Sequence, residues 1–135
     1  MANGIYGKGR EKFLNADIDW AVDTIKVALV DTASYTVSID VDEFYSTVSA
    51  AVVGTPVTLA SKTSTLGVAD AADVSFTGLV GAPTIEALVI YKDTGVAGTS
   101  PLIAYIDTAT GLPVAAAATQ VDVTWDSGAN KIFKL

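Results

Sequence analysis

From Thr24 to Val30 the chain reads TIKVALV, in which Ile25, Val27 and Leu29 alternate with Lys26, Ala28 and Val30. A period of two with β-branched residues predicts a strand, and Asp31 opens the turn that ends it. The signal recurs in TPVTLAS (55–61), ADVSFTG (72–78), TIEALVIYK (84–92), PLIAYID (101–107), TQVDVTW (119–125) and the terminal KIFKL. Clusters of Gly, Pro, Ser, Thr and Asp separate these runs. The pattern predicts an all-β fold, an antiparallel sandwich or jelly-roll-like barrel of seven to eight strands. No strand alternates with a long helix, which argues against a parallel α/β sheet. Only the start departs from the pattern. In IYGKGREKFLN (5–15), Tyr6, Phe13 and Leu14 share one side at helical spacing while Lys8, Glu11 and Lys12 turn elsewhere, so one short helix is expected from near Lys8. The stretch 38–51 is irregular, with a helical turn expected around Asp42-Glu43-Phe44-Tyr45.

Two strands are apolar on both faces. In ALVIY, Ala87, Val89 and Tyr91 point one way and Leu88 and Ile90 the other, and LIAYI from Leu102 to Ile106 repeats this. A two-layer sandwich buries one face only, so the second face must be covered by the helix or by another subunit. Leu88, Ile90, Ile103 and Tyr105 are accordingly the candidates for a subunit interface. The last long strand alternates cleanly, with Val121, Val123 and Trp125 inward and Asp122, Thr124 and Asp126 outward.

Charge and composition narrow the function classes. Residues 1–135 are of single-domain size, with 1–16 read as an N-terminal arm and helix. Fifteen acids against eight bases give a net charge of −7, which repels nucleic acid and anionic membrane. Lys8, Arg10 and Lys12 are the exception, a small basic cluster suited to a solvated helix face or to docking on an acidic partner. Neither cysteine nor histidine is present. Thiol chemistry, Ser-His-Asp catalysis and histidine metal sites are therefore excluded. No run approaches the ~20 apolar residues of a membrane helix, and the start lacks a signal-peptide core, so a soluble cytoplasmic product is expected. Half of the residues are nonetheless hydrophobic, an excess that burial against other subunits would explain.

One tripeptide raises a catalytic question. Asp126-Ser127-Gly128 and Asp93-Thr94-Gly95 both match the Asp-Ser/Thr-Gly loop of aspartic proteases. Those enzymes place two carboxylates about 3 Å apart to share a proton. The two copies here begin 33 residues apart (126 − 93), too near for a lobe around each, so only a homodimeric protease fits. Asp31-Thr32-Ala33 and Asp107-Thr108-Ala109 show the same Asp-Thr/Ser-small pattern at strand ends. Asp31, Asp93, Asp107 and Asp126 are therefore read as turn caps. Asp17-x-Asp19 and Asp40-x-Asp42-Glu43 do not continue into a calcium loop, and GIYGKG lacks the spacing of a phosphate loop. No metal, cofactor or small-molecule substrate is expected.

The segments IYGKGREKFLNADIDW, DTIKVALVDTASYTV, KTSTLGVADAADVSFTG and EALVIYKDTGVAGTSPLIAYIDTATGLPV, closing on TWDSGANKIFKL, together resemble small virion structural proteins of tailed bacteriophages. The resemblance covers nearly the whole chain and carries no catalytic motif. It implies a capsid decoration, or cement, protein on the outside of the head, assembled in the host cytoplasm; a tail, neck or fibre part is the alternative. The implied partners are the major capsid protein and copies of the chain itself as a dimer or trimer. Tyr6, Lys8, Arg10, Lys12 and Phe13 are the expected docking residues.

Overall fold

The computed structural model describes residues 3–135. Within them the chain forms β1 (Gly4–Ile5), α1 (Gly7–Leu14), β2 (Ile25–Val30), β3 (Val52–Thr58), β4 (Val68–Ala69), β5 (Val74–Phe76), β6 (Ala87–Lys92), β7 (Leu102–Ile106), β8 (Val121–Val123) and β9 (Phe133–Lys134). Short 3₁₀ turns at Tyr45–Thr47 and Ser49–Ala51 occupy the irregular stretch. The strands make a five-stranded sheet in the order β1-β7-β6-β2-β3 and two two-stranded ribbons, β4-β9 and β5-β8. Every pairing is antiparallel. None of the three sheets closes on itself; of the expected sandwich or jelly-roll-like barrel, the structure gives the antiparallel, mostly β character with one short helix. Among the described residues no helix is long and apolar enough to cross a membrane.

The central strands are buried on both sides because this chain supplies both covers. On one face Ile25, Val27, Leu29, Leu88, Ile90 and Ile106 join a core closed by Ile18, Trp20, Leu59 and the ribbon residues Val74, Phe76, Val121 and Phe133. On the other, Ala28, Val30, Val89, Tyr91 and Tyr105 meet Tyr6, Tyr35, Val48 and Ala51. The second cover is thus mainly the irregular stretch, with Tyr45 stacked on Tyr91 at a ring separation of 4.0 Å. The residues expected at a subunit interface are corrected accordingly: Leu88, Ile90, Ile103 and Tyr105 are all under 5% exposed within the single chain. They also fall on opposite faces, the first three in one core and Tyr105 in the other. A bulge explains the split. Ile90 pairs with Ala104 and Tyr91 with Leu102, so Ile103 is an extra residue and the side-chain phase shifts there.

That bulge receives the N-terminal segment. The Tyr6 amide donates to the Ile103 carbonyl at 2.9 Å, after β1 has paired with the far half of β7. The helix then lies against β7 through Gly9, its one buried residue. A Cβ at Gly9 would stand 2.5 Å from the Leu102 carbonyl oxygen, so only glycine permits this approach. Leu14, expected on the buried side, is 87% exposed: it is the last helical residue, and Ala16 at φ 62° turns the chain away. At the opposite edge β3 is blunted. Val57 faces Val27 and Val53 faces Leu29, so residues 54–56 bulge out, with Gly54 at φ 71° and Pro56 among them. Both features discourage pairing with another strand.

Candidate docking surface

The basic segment is integrated into the fold rather than free. Tyr6 is fully buried, which removes it as a docking residue; its hydroxyl lies 2.8 Å from that of Tyr35. Tyr35 in turn donates to the Asp42 carboxylate at 2.7 Å, and the Ser38 amide donates to the same oxygen. Since Tyr35 has one proton to give, Tyr6 is the donor between the two phenols. Burial pushes both phenols above the usual tyrosine range, and for Tyr35 the Asp42 bond adds to this. Phe13 is half-buried, 6.2 Å from the Phe133 ring. Lys8 pairs with Glu11 at 3.2 Å, Arg10 with Asp40 at 3.5 Å and Lys12 with Glu43 at 3.4 Å. Lys12 also sits over the Phe44 ring. Such half-exposed pairs are each worth about 0–1 kcal/mol, so an acidic partner could exchange for them at little cost.

The corner residues behave as the turn reading requires in three of four cases. Asp31 accepts from the Ala33 amide at 2.9 Å, Asp93 from Gly95 at 2.9 Å and Asp126 from Gly128 at 3.1 Å. At the fourth corner a distant residue takes part. At the Asp107 corner the cap is Asn3, whose Oδ1 accepts from the Asp107 and Thr108 amides at 2.9 Å each, while Asp107 itself accepts from the Thr108 hydroxyl. Asp19 is a further cap, accepting from Ala21 and Val22. The Lys26 ammonium, 2.8 Å from Asp93, and the Gly95 amide hold that carboxyl below its usual range. Asp23 is likewise lowered: burial opposes ionisation, but the Asp19 amide and Lys92, 3.0 Å away, outweigh it. Among the described residues no group of three or more carboxylates gathers to hold a metal ion.

A cleft opens at the end of the first core. It has a volume of about 670 Å³ and runs between β8 and β9, bounded by the loop 108–112 and floored by β1 and β7. Both strands pair on one side only, β8 with β5 and β9 with β4. Nine hydrophobic residues are half-buried against this core. Six of them, Ile5, Leu112, Val114, Val123, Trp125 and Ile132, line the cleft. The core is therefore incompletely sealed here and better sealed elsewhere. Leu88 and Tyr105, expected at an interface, reach the cleft as parts of its wall, though nearly covered. Its rims carry Asp122 and Asp126 on the β8 side and Lys131 and Lys134 on the β9 side. Gln120 and Ser75 donate to Asp122 and keep its carboxyl below the usual range.

Sequence reasoning placed Val123 and Trp125 on an inward face, and they are half-buried there, with the Trp125 indole donating to the Ala72 carbonyl at 3.0 Å. It missed the cleft itself. Residues 3–5, 104–114 and 121–134 meet only in three dimensions, and no local pattern announces that. Comparison of the chain with known protein families and with curated protein sequences finds no match.

Proposed function

We propose that this chain is a non-enzymatic structural protein of a tailed-phage virion, a head decoration protein that binds the outside of the major capsid protein lattice. The sequence resemblance, which spans nearly the whole chain, supplies the virion. The observation that carries the assembly role is the unsealed core end: six half-buried apolar residues between two strands that each have an unpaired side. Apolar area left in this state gains free energy when a protein surface covers it, at roughly 25 cal/mol per Å² removed from water. In this reading the sheet and its ribbons serve together as a compact β-sandwich, and the hold on the lattice comes from many weakly attached copies.

The test is to mix the purified protein with expanded capsid shells that lack it, sediment the shells and count the copies bound. Saturable binding of many copies per shell, with shells that then survive heating better, is the expected result. Failure to bind heads, with binding to tails or necks instead, would move the chain to the alternative place in the particle.

A further inference from the structure

We propose that the cleft between β8 and β9 is a self-association surface, filled by the same cleft region of a second copy related by a two-fold axis. This rests on the reading of the cleft as an assembly surface, but it names the occupant and does not need a capsid.

The argument is one of complementarity. In a two-fold interface the same patch meets itself, so each feature must match one displaced across the axis. The two rims of this cleft have opposite sign, with Asp122 and Asp126 on β8 and Lys131 and Lys134 on β9. Rotated onto itself about an axis through the cleft, the patch sets the acidic rim of one copy against the basic rim of the other, twice. The groups are available for this. Asp122, Asp126 and Lys134 are exposed, and the pair between Lys131 and Asp70 is loose at 4.0 Å. Between the rims lie the half-buried Val123, Trp125 and Ile132, which supply an apolar centre inside a polar border. An anionic partner would be repelled by half of the rim and a cationic one by the other half. A copy of the same chain satisfies both.

The experiment is sedimentation equilibrium on the full chain and on two charge-reversed variants. One carries Asp122→Lys with Thr124→Lys, making both rims basic; the other carries Lys131→Glu with Lys134→Glu, making both acidic. Asp122 and Lys134 lie on ribbon strands, Thr124 and Lys131 lie just outside them, and thermal melts check that each variant remains folded. The expected result is a dimer of the 13.9 kDa chain that each variant alone weakens by at least ~10-fold, with an equimolar mixture of the two restoring association. The mixture is the decisive arm, because a variant that merely misfolds cannot be rescued by another. A wild-type chain that stays monomeric at high micromolar concentration would overturn the proposal, as would a dimer indifferent to all four substitutions. A dimer that fails to bind shells would sustain this inference and sink the decoration role; a monomer that binds shells would do the reverse.

Discussion

At the scale of single residues, polar side chains here mostly hold the backbone of this chain in place. The Tyr6-Tyr35-Asp42 relay is the clearest case, because its members differ in what their removal exposes. Tyr6→Phe deletes the first donor and leaves Tyr35 still bonded to Asp42, so a loss of about 1 kcal/mol is expected. Tyr35→Phe strands the buried Tyr6 hydroxyl and takes a donor from Asp42, so about 2–3 kcal/mol is expected. Urea denaturation of the two variants measures the difference, and equal losses would mean that the phenols do not form a directed chain. The corner aspartates were legible in the sequence because an Asx turn is complete within three residues: Asp31, Asp93 and Asp126 each bond the amide two positions on. The Asp107 corner was not, since its cap, Asn3, is 104 residues away.

At the scale of elements, legibility followed the length of the periodic signal. β2, β6 and β7 are five or six residues long and stand where alternation predicted them. β1 and β4 have two residues each and no period of their own; they are strands because β7 and β9 offer them a partner. The helix was found, but its packing face only in part: Phe13 is half-buried against the first core, while Leu14 is exposed. An apolar stripe was sought, whereas the contact with β7 is made by Gly9, a residue with no side chain to register. Gly9→Ala is therefore expected to destabilise the protein by about 1–3 kcal/mol, although alanine is the better helix former, because the added carbon meets backbone that cannot swing aside. Lys8→Ala, on the solvent side of the same helix, serves as the control and is expected to stay within about 0.5 kcal/mol. Denaturation midpoints of the two proteins decide between packing and propensity.

At the scale of the whole molecule, the pH profile of stability follows from the direction of the shifted groups. Asp23 and Asp93 have carboxyls lowered by folding, so their contribution is present above the unfolded value of about 4 and is lost as pH falls through the folded values. Tyr6, Tyr35 and Tyr91 are raised, chiefly by burial, so the cost of ionising them in place appears only above about pH 10. With no histidine in the chain, the melting temperature is expected to form a plateau between roughly pH 5 and 9, with an acid and an alkaline limb. A step near pH 6.5, read by calorimetry, would contradict this. The order β1-β7-β6-β2-β3 also has a consequence in time. During synthesis β2 can pair with β3 early, but its other neighbour ends at Lys92, and Gly4 must wait for Tyr105. Phe133, which closes the first core beside Trp20, comes later still. Contacts of such long sequence separation form slowly and late. When β6 has been made, the irregular stretch that covers one face of the sheet is already present, but β7 is not, and the first core still lacks Val121 and Phe133, so that face stays open to aggregation until β8 and β9 follow.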